Sequence, residues 1–119
     1  MANELTAQLS LVGTAANFGD ALALTTSDTL DVTKDVVGVS KVQLSTGDLT
    51  LASTSYGKSF VYLKNVDESI DINISFGSEG LVLKLGASEF AFFPWSGVSN
   101  IVAAAASGTP FLEYAIFES

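Results

Sequence analysis

Between Ser59 and Trp95 the chain spells out four strands with almost no residue to spare. Ser59-Phe60-Val61-Tyr62-Leu63-Lys64-Asn65 is aromatic and β-branched. Ile70-Asp71-Ile72-Asn73-Ile74-Ser75-Phe76 alternates apolar and polar at every step. Leu81-Val82-Leu83-Lys84-Leu85 follows Gly77 and Gly80, and Phe90-Ala91-Phe92-Phe93-Pro94-Trp95 follows Gly86. Side chains two apart fall on one face of a strand, and glycines between such runs supply turns. A segment of this kind fits only an antiparallel sheet.

The flanks continue the pattern. Leu5 to Leu11 alternates cleanly, Asn17-Phe18-Gly19-Asp20 reads as a turn, and Ala21 to Thr25 reads as a second strand, with a short third marked by Leu30 and Val32. Val36 to Leu44 is an extended strand with a bulge expected at Gly38. Thr46-Gly47-Asp48 turns into Leu49-Thr50-Leu51, and Phe111 to Phe117 closes the chain as a strand with Leu112, Tyr114 and Ile116 on one face. Ile101 to Ala106 is the one candidate helix, because alanine is the best helix former. It is short and bounded by Gly97 and Gly108, so a strand of small side chains under a close neighbour is the better reading. The expected fold class is all-β: an antiparallel, jelly-roll-like β-sandwich of roughly eight to ten short strands. At 119 residues the expectation is one domain over 1–119, with residues 1–26 a partly extended N-terminal arm.

Composition narrows the chemistry. The net charge is −8, from five lysines against 13 acidic residues, and arginine is absent. Acidic surfaces repel phosphate backbones, so nucleic acid is not an expected partner. Histidine and cysteine are absent too, which removes the commonest general base, the commonest metal ligand and any disulfide. No apolar run approaches the ~18 residues of a membrane-spanning helix. No positive segment precedes an apolar one at the N-terminus, so neither membrane nor signal peptide is expected.

Three motif-like matches have plainer readings. Ala52-Ser53-Thr54-Ser55-Tyr56-Gly57-Lys58-Ser59 resembles a relaxed phosphate loop, but that loop works at the start of a helix, and this one runs into strand. Asp28, Asp31 and Asp35, and again Asp67, Glu68 and Asp71, offer hard oxygen ligands to calcium without EF-hand spacing. The same carboxylates have no nucleophile or base beside them in the pattern, so no catalytic residue, cofactor or small-molecule substrate is assigned. Asn73-Ile74-Ser75 matches a glycosylation acceptor but lies inside a strand.

The aromatic run is the most informative constellation. Phe90 and Phe92 share one strand face, Phe93 and Trp95 the other, and Phe111 and Phe117 lie opposite Leu112, Tyr114 and Ile116. A core accounts for one face of each strand. The other is a candidate contact surface, so Phe90, Phe92, Phe93, Trp95, Phe111 and Phe117 form the candidate interface set. An aromatic surface can also stack on sugar rings.

From Lys41 to Ser119 the order of these pieces resembles small β-sandwich proteins of tailed bacteriophages. The pieces are Tyr62-Leu63-Lys64-Asn65-Val66-Asp67, Ile72-Asn73-Ile74-Ser75-Phe76-Gly77, Leu83-Lys84-Leu85-Gly86-Ala87-Ser88-Glu89-Phe90-Ala91, the small-residue run from Ile101 to Gly108, and Leu112-Glu113-Tyr114. The chain departs from the family's Leu-x-Gly-Glu turn, where Ala87 and Ser88 separate Gly86 from Glu89. The resemblance implies a non-enzymatic virion structural protein made in the host cytoplasm. It implies a capsid decoration or cement protein on the outer surface of the head, a homo-oligomer with a trimer favoured, and the major capsid protein as partner. The alternative is a tail or fibre component, or a receptor- or glycan-binding module.

Overall fold

The structure is a computed structural model and describes residues 3–13, 22–32, 34–77 and 80–119. The chain divides into two compact units, Met1–Val32 and Thr33–Ser119. The first is a two-stranded antiparallel ribbon of β1 (Asn3–Gly13) and β2 (Leu22–Val32), in register from Asn3 opposite Val32 to Gly13 opposite Leu22. The two short strands expected over 21–32 are one long strand. Thr25 to Thr29 is a polar run that gives no apolar signal, but its backbone pairs with β1 throughout. The expected turn at Asn17–Asp20 lies outside the described residues.

Among the described residues the second unit holds eight strands: β3 (Lys34–Gln43), β4 (Leu49–Ala52), β5 (Ser59–Asn65), β6 (Ile72–Phe76), β7 (Leu81–Leu85), β8 (Phe90–Trp95), β9 (Ile101–Ala105) and β10 (Phe111–Glu118). They form two four-stranded antiparallel sheets, ordered β3-β10-β5-β8 and β4-β9-β6-β7. The pairs β3 with β10, β4 with β9, β5 with β8 and β6 with β7 are nested, first with last and inward. That nesting is the strand order of a jelly roll, in which one long antiparallel ribbon wraps into two facing sheets. The all-β sandwich read from the sequence is the observed fold.

The core lies between the sheets. Alternate residues of β5 are buried, Val61 and Leu63 among them. They meet Ile72, Ile74, Leu85, Ile101, Leu112, Ile116 and Trp95 from both layers. The alanine run is the strand β9, with Ala103 and Ala105 buried and Ala104 between them half-buried. The extra residue on β3 falls between Val37 and Ser40, the stretch that contains Gly38, and a second register shift follows toward Lys34.

Two loop devices fix the ends of the sandwich. Asn65 is fully buried at the end of β5, where its Nδ2 donates to the carbonyls of Ile70 (2.7 Å), Leu85 (3.0 Å) and Gly86 (3.1 Å). Its Oδ1 accepts from the Asp67 N–H at 2.9 Å, so one side chain ties the β5–β6 loop to the β7–β8 turn. In that turn the Glu89 side chain accepts from the Gly86 N–H, and Ser88 adopts φ 65. The Glu89 N–H also donates to the Gly86 carbonyl at 3.1 Å, so Ala87 and Ser88 are the middle of a four-residue turn.

Candidate interaction surface

The outward face of the β3-β10-β5-β8 sheet follows from its register. Phe117 lies opposite Phe60, Ala115 opposite Tyr62 and Glu113 opposite Lys64 on β10 and β5. Phe60 lies opposite Pro94, Tyr62 opposite Phe92 and Lys64 opposite Phe90 on β5 and β8. Residues directly opposite one another point to the same side of a sheet. The inward side is taken by Val61, Leu63 and Leu112, so all of these rows point away from the core.

The result is an aromatic face on the outside of a sheet. Phe90 is 61% exposed, Phe92 40% and Phe111 47%, while Phe60, Tyr62 and Phe117 are half-buried among them. Phe60 and Phe92 stack with ring centroids 6.2 Å apart and planes 12° from parallel. The Lys58 Nζ sits 5.4 Å from the Phe60 ring centroid, a cation over an aromatic face. Tyr62 donates its hydroxyl to Glu113 Oε1 at 2.8 Å. Burial first, and then the hydrogen bond and charge of Glu113, push the Tyr62 hydroxyl up to about 12. Lys41 and Lys64 flank Glu113 on either side in register. Three of the five lysines of an acidic chain therefore frame this one face.

The six aromatic residues singled out from sequence divide between the two sides. Phe90, Phe92, Phe111 and Phe117 belong to the outward face. Trp95 is buried, with its Nε1 donating to the Ser99 carbonyl at 3.0 Å. Phe93 packs on the core and meets Phe76 edge-on, with centroids 5.9 Å apart and an 82° angle. Phe60 and Tyr62 belong to the face but were not in the set. Their signal was present as the alternation Phe60, Tyr62, Lys64 against Val61, Leu63, Asn65 along β5. Only the register with β8 shows that the first set joins Phe90 and Phe92.

The other motifs have structural roles. Thr54–Tyr56 is a single 3-10 turn, and Lys58-Ser59 leads into β5, with the Ser59 Oγ donating to the Gly57 carbonyl at 3.0 Å. The Asp67 carboxylate accepts from the Ser69 and Ile70 N–H groups, both at 2.9 Å, which holds it below the usual aspartate range. Asp71 lies 3.4 Å from Lys84. Asp28 and Asp31 are three apart on a strand and point to opposite faces of the ribbon. Among the described residues no three acidic side chains gather at one point. An open cleft of about 530 Å³ lies beside the β7–β8 turn, lined by Leu83, Lys84, Leu85, Ser88, Glu89, Phe90 and Ala91. Its one carboxylate, Glu89, is engaged with the Gly86 N–H.

Comparison of the chain with models of protein families, with curated proteins and with solved structures finds no match.

Proposed function

We propose that this chain is a non-enzymatic virion structural protein of a tailed phage, a capsid decoration protein that binds the outside of the head. It works as a homo-oligomer, a trimer on this reading, and reinforces contacts between capsid subunits. The observation that carries the proposal is the aromatic face on β5, β8 and β10. Contiguous exposed aromatic surface on a small domain marks a place where another macromolecule binds. Jelly rolls recur in viral capsid proteins and in lectins, an analogy of fold that agrees with the sequence resemblance. The net charge of −8 suits a position outside the shell, away from packaged DNA. Each copy needs only a modest interface, because an oligomer gripping a repeating lattice gains from avidity.

The test is co-sedimentation of the purified protein with heads of its own phage, with the solution mass measured in parallel. Wild type is expected to be oligomeric and to pellet with heads. The double variant Phe90→Asp, Phe92→Asp is expected to keep its fold and lose the head-bound fraction. A wild-type monomer that stays in the supernatant would sink the proposal. Retention on glycans, lost in the same double variant, would favour the receptor-binding alternative.

A further inference from the structure

The ribbon of β1 and β2 is amphipathic. Leu5 faces Leu30, Ala7 faces Asp28, Leu9 faces Thr26 and Leu11 faces Leu24, all on one side. The other side carries Glu4 opposite Asp31, Thr6 opposite Thr29, Gln8 opposite Ser27 and Ser10 opposite Thr25, with Val12 and Ala23 as its apolar end. The leucine side is incompletely covered, with Leu9 40%, Leu11 43% and Leu24 47% exposed. An isolated two-stranded ribbon is marginal in water, and the like charges of Glu4 and Asp31 directly across from each other weaken it further. Such a ribbon gains stability by laying its apolar side on another surface.

Charge identifies that surface. Residues 1–32 carry Glu4, Asp20, Asp28 and Asp31 and no basic residue. Asp28 sits in the middle of the leucine strip, where its Oδ1 accepts the adjacent Thr29 N–H at 2.8 Å. An apolar surface that also brings a cation to Asp28 suits the strip best. The aromatic face of the sandwich is apolar and is framed by Lys41, Lys58 and Lys64. We propose that the leucine side of the ribbon of one copy docks on the aromatic face of a second copy, with Asp28 meeting Lys58, the cation that lies over the Phe60 ring. Repeated around a symmetry axis, this head-to-tail contact closes a ring in which every copy gives a ribbon and receives one. The inference rests on the reading of the aromatic face as an assembly surface and names what occupies it.

The absence of cysteine makes the test direct. Leu9→Cys and Phe92→Cys variants, each with a single thiol on an exposed side chain, are mixed and treated with a short bismaleimide. The expected product is a dimer joining one Leu9→Cys copy to one Phe92→Cys copy, identified by mass spectrometry of isotope-labelled partners. A cross-link formed only within single chains of the Leu9→Cys, Phe92→Cys double variant would overturn the proposal, because the ribbon would then cover its own sheet. Cross-links only between two Phe92→Cys copies, or none in any combination, would overturn it as well. As a second measurement, Asp28→Lys is expected to weaken self-association about tenfold or more at low salt. Adding Lys58→Glu is expected to restore it. No restoration, with the fold intact, counts against the contact. Phe92-dependent binding to heads without any ribbon cross-link would leave the decoration reading standing and this inference refuted.

Discussion

Asn65 shows how much one buried amide carries in this fold. Its side chain satisfies backbone groups from two loops that are far apart in sequence. Replacement by leucine keeps the branched shape, adds volume, and strands those groups in the core. Leaving buried backbone groups unpaired costs about 1–3 kcal/mol each. Asn65→Leu should therefore lower stability by about 3 kcal/mol in urea unfolding, and a loss below about 1 kcal/mol would contradict the role. Tyr62 makes a prediction in pH. Its hydroxyl is raised to about 12 when folded, against 10.0 for the unfolded chain. Below pH 10 both states hold the proton and the contribution is complete. As pH rises toward 12 the unfolded state loses the proton first, and the contribution is lost. Wild type should thus lose melting temperature more steeply than Tyr62→Phe between pH 10 and pH 12. Parallel slopes would show that burial and Glu113 do not hold the proton on the folded hydroxyl. Asp67 has the opposite sign: its folded carboxyl is held low, so its contribution is present above the unfolded value and fades as pH falls through the folded one. None of these three roles is legible in sequence. Asn65 reads there as the polar end of a strand, because its partners are set by where two distant turns meet.

At the level of elements, the sandwich was readable where the apolar period was two. The strands β5 to β8 and β10 follow from alternation, and β9 from the exclusion of a helix too short to hold. The ribbon was read incompletely, because Thr25 to Thr29 is polar on both faces and is strand only through its pairing with β1. The aromatic face was half legible. A single strand shows that Phe90 and Phe92 share a side, but not that β5 adds Phe60 and Tyr62 beside them. Close approaches between loops were not legible at all. Gly97 adopts φ 80, and a Cβ there would lie 2.5 Å from the Gly57 carbonyl carbon and oxygen. That contact joins the loop before β5 to the loop after β8, at the end where Trp95 is anchored. Gly97→Ala is therefore expected to cost about 2 kcal/mol or more, from the left-handed backbone and the clash together. Gly80→Ala is the control, because its φ of 81 is similar and nothing lies within 4 Å of its Cβ position. Thermal melts of the pair separate the two causes, and equal losses would remove the clash from the explanation.

For the whole molecule, the distribution of surface matters more than any single site. The chain is acidic, yet Lys41, Lys58 and Lys64 lie around the one outward face rich in aromatic rings. Contacts made through that face should weaken as salt rises, because exposed charges are screened within about 10 Å at 0.1 M salt. A Phe92→Asp variant gives up the stack on Phe60 and is expected to lose about 1 kcal/mol of stability and keep its fold, while its self-association falls. Sedimentation velocity across protein concentrations reads both mass and salt dependence, and equal association of variant and wild type would exclude the face. Where the protein sits in a particle decides what it does. Electron cryomicroscopy of virions from the parent phage, compared with virions that lack this chain, tests that most directly. Symmetric jelly-roll density is expected on the outer surface of the head, present only in the complete virions, with aromatic faces enclosed between copies. Density confined to the tail, or heads identical in the two preparations, would contradict it.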